Sequence, residues 1–310
     1  MDKDRGRVLI TGASGVIGVA VQDLLTAQGY DVVAVSSADA DLTDESSAFG
    51  LVQSVKPKFV IHLAARVHGL MGNLHQQGSM FYDNARINSN VVEASRVAGV
   101  SKIVAMGSVA MYSDTVKLPM NEADVWNGAP HASEAGYAHA KRAMLAQLEA
   151  YKDQYGLDYA FALSTNLFGP RDRFDEMNGH VLPSLLSKFH RGVQTGDPVT
   201  VWGSGTPTRD FLYSKDAAVA LQLLLETGSG VYNLASGQHH SIRDTAALIT
   251  KISGYGGEIQ WDREKPDGQS ARAYDITRIT DLGWKSSTTF EDALRETYAW
   301  YSANTVLARR

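Results

Sequence analysis

Apolar and polar positions follow two rhythms along the first half of the chain. Continuous apolar, β-type runs at 7–11, 31–35, 59–63, 102–106 and 159–163 read as buried strands. Between them, apolar residues recur at helical spacing over 16–28, 44–55, 84–98 and 136–155, with Ile17, Val21, Leu24 and Leu25 as the stripe of the first. Such alternation predicts a parallel sheet covered on both faces, with ligands bound beyond the carboxyl ends of the strands. Gly12, Ser108 and Asn166 fall at those ends. Past residue 166 the rhythm loosens. Gly169-Pro-Arg-Asp, Gly196-Asp-Pro and Gly203-Ser-Gly-Thr-Pro punctuate the chain as loops. Short strands at 199–202, 231–234 and 258–261 mix there with helices at 181–190, 216–226, 241–253 and 290–304.

The turn after the first strand narrows the chemistry. Arg7-Val-Leu-Ile-Thr-Gly-Ala-Ser-Gly-Val-Ile-Gly18 is a strand, a glycine-rich turn and a helix start in that order. Gly12 permits the tight turn, Gly15 lets a pyrophosphate approach the backbone, and Gly18 lets helix and strand pack closely. Free N–H groups and a partial positive charge at the helix start suit phosphates. The expected fold is therefore α/β, a Rossmann-type doubly wound parallel sheet with a smaller C-terminal substrate-binding lobe. The dinucleotide-binding domain is placed at 1–166, its last elements returning from the C-terminal half, and the lobe mainly at 167–310.

Downstream, Tyr137-Ala-His-Ala-Lys141 puts a phenol and an ammonium on one helical face. An ordinary tyrosine, with a pKa of about 10, is a poor acid or base near neutrality, and a nearby cation lowers that value. With Ser108 ending the strand Lys102-Ile-Val-Ala-Met-Gly-Ser108, the set resembles the Ser/Tyr/Lys triad of short-chain dehydrogenases/reductases. These residues are expected to exchange a proton with an alcohol or ketone while a nicotinamide exchanges hydride.

Composition trims the alternatives. With 310 residues and 44% hydrophobic content the chain can bury a large core. A net charge of −5 and no basic run argue against a nucleic-acid partner. Zero cysteines exclude disulfide and thiolate chemistry and are compatible with a cytoplasmic location. No apolar run approaches a membrane span, the charged N-terminus leaves no room for a signal peptide, and no metal-spaced cluster is seen. The second strand ends in Val35-Ser36-Ser37-Ala38 with no carboxylate until Asp39, which leaves room for a ribose 2′-phosphate. No arginine in that stretch clamps one. NADP(H) is the expected cofactor.

Several stretches, in order along nearly the whole chain, resemble the GDP-L-fucose synthase family of extended short-chain dehydrogenases/reductases. They are His62-Leu-Ala-Ala-Arg-Val-His-Gly69, Ser164-Thr-Asn-Leu-Phe-Gly-Pro170, His180-Val-Leu-Pro183, Val201-Trp-Gly-Ser-Gly-Thr-Pro-Thr-Arg-Asp-Phe211, Lys265-Pro-Asp-Gly268, Asp275-Ile-Thr-Arg278 and Leu282-Gly-Trp284. The resemblance implies an NADP-dependent enzyme acting on a GDP-linked 4-keto-6-deoxy sugar. Under it Gly12, Ser14, Gly15, Ile17 and Gly18 cradle the cofactor. Ser36, Leu63, Ala64 and Ala65 belong to the same site, Asp41 and Leu42 form the turn that touches adenine, and Asn166, Leu167, Lys141 and His180 complete the cofactor contacts. Ser108, Lys188, Trp202, Arg209 and Asp275 become substrate contacts. Ser108, Tyr137, Lys141 and His180 become the catalytic set. Lys188 stands where the family usually has arginine, which keeps the charge and loses the bidentate fork. A homodimer through the helices at 84–98 and 136–155 is a further expectation from the resemblance.

One departure matters. The family places a cysteine two positions after the catalytic serine, working with a histidine on the carbons that flank the ketone. Here that position is Ala110, which can neither accept nor donate a proton. The expected activity is NADPH-dependent reduction of the C4 ketone, with epimerisation in doubt. The rival readings are a complete 3,5-epimerase/4-reductase and a non-catalytic NADP-sensing protein. A 4,6-dehydratase is disfavoured, because Val109-Ala110 supplies no acid/base pair.

Overall fold

The computed structural model describes residues 5–67, 75–177, 179–265 and 272–308. His68 and Gly69 of the first quoted motif, Asn178 before His180, and 266–268 of the Lys-Pro-Asp-Gly motif lie outside them. Six parallel strands make the central sheet: β1 (Arg7–Thr11), β2 (Asp31–Val35), β3 (Phe59–His62), β4 (Lys102–Ser108), β5 (Asp158–Ser164) and β10 (Gly230–Leu234), in the order β10-β5-β4-β3-β1-β2. Strand order reverses at β1, which lies between β2 and β3. A crevice opens at such a reversal beyond the carboxyl ends, here at Thr11 and its register partner His62.

Both faces of the sheet are apolar, so alternate residues of each strand enter opposite cores. Val8, Ile10, Val104 and Ala162 pack with Ile17, Val21 and Leu25 of α1 (Val16–Ala27) and Leu221 and Leu224 of α6 (Ser214–Glu226). Leu9, Ile103 and Phe161 pack on the other face with α2 (Glu45–Val55), α3 (Gln77–Val97) and α4 (Ala135–Tyr155). A third core, built on Phe168, Leu186, Phe189, Val201 and Tyr301, joins α5 (Val181–Thr195), α7 (Ile242–Ser253) and α9 (Phe290–Ala303). Short strands surround it: β6 (Asn166–Phe168) pairs with β9 (Phe211–Tyr213), β7 (Val199–Trp202) with β12 (Ile259–Asp262), and β8 (Thr208–Arg209) with β11 (His240–Ser241). No helix among the described residues is long and apolar enough to cross a membrane.

Two differences from the sequence reading bear on the site. Helix α3 begins at Gln77, well before the expected position 84, and α5 runs on to Thr195 rather than 190. The extra turns of α3 carry Gly78 and few apolar residues, so tertiary contacts outweigh the weak local signal there.

Buried Asp216 in α6 fastens the tail of the chain to the sheet. Its carboxylate accepts from the Ser286 and Ser287 hydroxyls at 2.8 and 3.1 Å and from the Thr288 amide and hydroxyl at 3.0 and 2.9 Å. The Asp216 carbonyl also accepts from the Trp284 indole at 3.1 Å. Asp216→Ala should destabilise the protein by about 1–3 kcal/mol, because several partly buried donors lose their shared acceptor. Urea unfolding of wild type and variant checks this; equal midpoints and slopes would remove the clasp from the stability of the fold.

Candidate active site

The glycine turn is built for close approach. Gly12 has φ +71°, and a Cβ there would lie 2.7 Å from the Ala64 amide nitrogen. A Cβ on Gly18 would sit 2.5 Å from the Gly12 carbonyl, while one on Gly15 meets that carbonyl alone, at 3.2 Å. The cradle therefore fits a pyrophosphate, with Gly15 as the open position and the start of α1 uncapped by any side chain. Ser14 is exposed beside it, whereas Ile17 buries its side chain in the core and can offer only its amide. Leu63 and Ala64 adjoin the turn: their amides donate to the Thr11 carbonyl and hydroxyl at 3.2 and 3.3 Å. Ala65 follows, partly buried.

At the end of β2 the Asp39 carboxylate accepts from the Ser36 amide and hydroxyl, both at 2.8 Å. These bonds hold its pKa below the usual carboxylate range, so an anion stands where a 2′-phosphate is expected. Asp41 accepts from the Thr43 amide and hydroxyl at 2.9 and 2.7 Å, which likewise lowers its pKa, and Leu42 is buried in the core.

Ser108 and Tyr137 meet at the carboxyl end of β4. The Ser108 oxygen accepts from the Ala110 amide at 3.1 Å, and the Ser108 hydroxyl is close enough to Tyr137 to bear on its pKa. Burial, followed by the Glu134 charge, raises the Tyr137 pKa, and Ser108 only partly offsets them. That corrects the sequence expectation that Lys141 makes Tyr137 more acidic. The Lys141 ammonium lies 5.8 Å from the Tyr137 ring centroid and donates to the Met106 carbonyl at 2.8 Å. Buried among neutral groups, Lys141 is itself pushed down to about 7.

A polar chain that the sequence reading missed links this pair to the glycine turn. His62 Nδ1 and the Thr11 hydroxyl are 2.8 Å apart, and His62 Nε2 and the Asn88 carbonyl oxygen 3.1 Å. Asn88 Nδ2 in turn donates to the Ala140 carbonyl at 3.4 Å. Burial and the nearby Lys141 charge push His62 down to about 3, so it stays neutral. The neutral ring can then accept from Thr11 and donate to Asn88, which satisfies every member.

His180, at the start of α5, borders solvent on one side and protein on the others. That enclosure, followed by the Arg173 charge, lowers its pKa. Asn166 donates to the Asp210 carbonyl at 3.0 Å, and Leu167 packs against the core beside α1. Farther out, Lys188 lies 5.1 Å from the Trp202 ring centroid and bonds the Thr200 carbonyl at 3.2 Å. Lys265 stands 5.7 Å from the same ring, an arrangement that no spacing in the sequence announces. Arg209 occupies β8, its Nη1 donating to the Thr208 carbonyl at 2.8 Å. Asp275 accepts from the Thr277 amide at 2.9 Å, starting the short helix α8 (Thr277–Asp281), and from Asn121 at 3.2 Å. Among the described residues no cluster of His, Asp and Glu could hold a metal ion.

A model of the NAD dependent epimerase/dehydratase family matches residues 8–235. A probable GDP-L-fucose synthase 1 from Oryza sativa subsp. japonica is 34% identical over 310 residues, covering 98% of this chain and 94% of that protein. GDP-L-fucose synthase of Escherichia coli strain K12 is also 34% identical, with 96% and 97% covered. Among solved structures, a GDP-L-fucose synthetase from Naegleria fowleri bound to NADP superposes with a TM-score of 0.90 at 30% identity, covering 99% of this chain and 97% of that one. A GDP-mannoheptose C4 reductase from Campylobacter jejuni with NADP bound gives 0.86 at 26% identity, covering 96% and 99%. The chain belongs to the NAD dependent epimerase/dehydratase family and, within it, to the GDP-L-fucose synthase family.

Lys141 gives the site a pH dependence with a definite sign. Below about pH 7 the free protein carries the ammonium; above it the amine is neutral and offers an anionic cofactor no charge. NADPH affinity should therefore weaken as pH rises from 7 to 9, and binding at pH 8 should be accompanied by proton uptake. Calorimetry in buffers of differing ionisation enthalpy checks both. A Lys141→Met variant should bind more weakly with no uptake assigned to this group. Equal uptake by the variant would place the titrating group elsewhere.

Proposed function

We propose that this protein reduces the C4 ketone of a GDP-linked 4-keto-6-deoxy sugar with NADPH and leaves the flanking carbons unepimerised. Its family relationship and NADP-bound neighbours make it an NADP-dependent oxidoreductase of GDP-sugars, within the epimerase/reductase class. The reductase-only reading rests on Ala110. It is 5% exposed, in the turn directly after Ser108, at the position where the family has cysteine. A methyl group there transfers no proton. Desolvation and the Arg173 charge both disfavour the imidazolium that removal of a carbon-bound proton would create, which argues against His180 making up the loss alone.

The remaining groups suit reduction. The Ser108 oxygen accepts from the Ala110 amide, and its own proton can be given to the ketone oxygen. The raised pKa keeps Tyr137 protonated at neutral pH, the form that must give a proton to the developing alkoxide. Lys141, as an ammonium, steadies the phenolate left behind. The cofactor, held by the Gly12–Gly15–Gly18 cradle and Lys141, supplies the hydride. Lys188 and Lys265 bring cations to Trp202, and the Arg209 guanidinium on β8 is a third candidate, a set that suits a nucleoside diphosphate. A homodimer is part of the proposal: Phe81 and Tyr82 on α3 and Tyr155 on α4 are 44%, 57% and 49% exposed, which supports burial against a second copy.

Product analysis by NMR after turnover of GDP-4-keto-6-deoxymannose in deuterated water tests the reading. The expected product carries little or no deuterium at the two carbons flanking C4. Rapid incorporation at both, with an L-fuco product, would restore the full synthase activity. Incorporation at one carbon, lost in His180→Asn, would establish a single-site epimerase instead. NADPH binding without turnover of any 4-keto nucleotide sugar would favour a sensor.

A second expectation concerns the acid. Tyr137→Phe should lower kcat by about 10²- to 10⁴-fold, the usual loss for a positioned acid, with NADPH affinity within a few-fold. More than a tenth of wild-type turnover would take Tyr137 out of this role.

A further inference from the structure

Arg272 lies far from the triad in sequence and beside it in space. Its Nη1 donates to the Val109 carbonyl at 2.7 Å, in the turn directly after Ser108. Its Nη2 pairs with Asp114 Oδ1 at 3.2 Å, and the side chain is 12% exposed. Asp114 Oδ2 faces His131 Nε2 at 3.6 Å. His131 Nδ1 accepts the Ser133 amide at 3.2 Å and lies 2.7 Å from the Ser133 hydroxyl, so Nε2 is the nitrogen left to carry a proton toward Asp114. The 3-10 turn Ala132–Glu134 runs straight into α4 and Tyr137. One guanidinium therefore touches the Ser108 turn directly and reaches the entry to the Tyr137 helix through a single carboxylate.

Arg272 is itself well fixed. The Met120 amide donates to the Ala273 carbonyl at 2.8 Å and the Asp275 amide to the Met120 carbonyl at 2.9 Å. Tyr274, 8% exposed, forms a bridge with Met120. Two N–H groups of a planar fork can hold a carbonyl and a carboxylate at once in set directions, which a lysine cannot do.

We propose that Arg272 is a positioning residue for the reduction: its guanidinium joins the Ser108 turn to the turn leading into Tyr137, and so sets the separation between the hydroxyl that holds the ketone oxygen and the one that protonates it. The inference rests on the reductase reading for its substrate but not for its geometry. It also gives Asp114 and His131 a shared purpose, since both bridge the two rims. The glycine cradle lies outside this linkage and supplies the pyrophosphate contacts, so the effect on cofactor binding is predicted to be much smaller than the effect on kcat.

The test is steady-state kinetics of Arg272→Ala, Arg272→Lys and Asp114→Asn with GDP-4-keto-6-deoxymannose and NADPH. A misplacement of about 1 Å costs on the order of 10²-fold in rate, so kcat of Arg272→Ala should fall by about 10- to 100-fold. KM for NADPH should stay within about two-fold, and the isotope effect with NADPH deuterated at the transferred position should rise as the chemical step becomes limiting. Arg272→Lys, which can hold only one of the two partners, should fall between wild type and alanine. Adding Asp114→Asn to Arg272→Ala should cost less than Asp114→Asn costs alone. If Arg272→Ala fails to fold, the lysine and Asp114→Asn variants carry the same kcat and isotope-effect expectations. Unchanged kcat, an unchanged isotope effect, or a parallel loss of NADPH affinity would overturn the proposal. Each variant is referred to whatever product the wild type makes. An epimerised wild-type product therefore defeats the reductase reading alone, and a kcat ratio near one defeats the Arg272 role alone.

Discussion

The orientation of α4 is the constraint on which the candidate site depends. Tyr137 and Lys141 are one turn apart on a rigid helix, so neither can be aimed independently of the other. Gln77 holds the start of that helix, its amide donating to the Ala132 and Ser133 carbonyls at 3.0 and 2.7 Å and accepting the Gly136 amide at 2.6 Å. The two backbones touch there. A Cβ on Gly136 would come within 2.2 Å of the Gln77 carbonyl oxygen, so residue 136 must be glycine for the pair to close. On the next turns Asn88 grips the Ala140 carbonyl, and Arg142 binds the Met111 and Gly128 carbonyls. These tethers also reach outward: Asn88 leads through His62 to Thr11 beside the cofactor turn, and Arg142 leads to the turn that carries Ser108.

Much of this was legible in the sequence, for a definite reason. Buried parallel strands read as unbroken apolar runs, and the glycine turn carries its spacing on its face, so the sheet and cradle are written locally. Strands β6, β8, β9 and β11 are two or three residues long, too short to show a period. The early turns of α3 carry no strong pattern because their work is polar, with Gln77 clasping α4. Lys265 and Arg272 are single charged residues whose partners lie far along the chain, Trp202 for one and Val109 and Asp114 for the other. Nothing about their spacing separates them from other surface cations.

The electrostatics of the pair show the same limit. Spacing predicts correctly that Lys141 lies near Tyr137 but leaves out burial, which sets the net direction for both. A phenol taken out of water becomes a weaker acid, and an ammonium taken out of water becomes a stronger one. Among the described residues no carboxylate is paired with Lys141, whose hydrogen-bond acceptor is the Met106 carbonyl. An uncompensated buried cation is unfavourable in the free protein and becomes favourable when an anionic ligand arrives. Neutral His62 belongs to this arrangement, since a second cation in the same dry region would drive the Lys141 proton off.

The departures from the family pattern reach the chemistry without disturbing the frame. Ala110 lies in the turn held by Arg142 and Arg272, and what these contact is backbone carbonyl: Met111 for one, Val109 for the other. Backbone contacts do not depend on the side chain at 110. A cysteine there can be replaced by a methyl group while Ser108, Tyr137 and the tethers around them stay in place. Under the proposed reading, loss of one proton-transfer group weakens chemistry at the carbons beside the ketone and leaves the protonation of the alkoxide intact. The Arg173 charge beside His180 acts in the same direction, by opposing the imidazolium that an epimerase must form. A fold of this kind separates the two half-reactions in space, so sequence change at one can leave the other working.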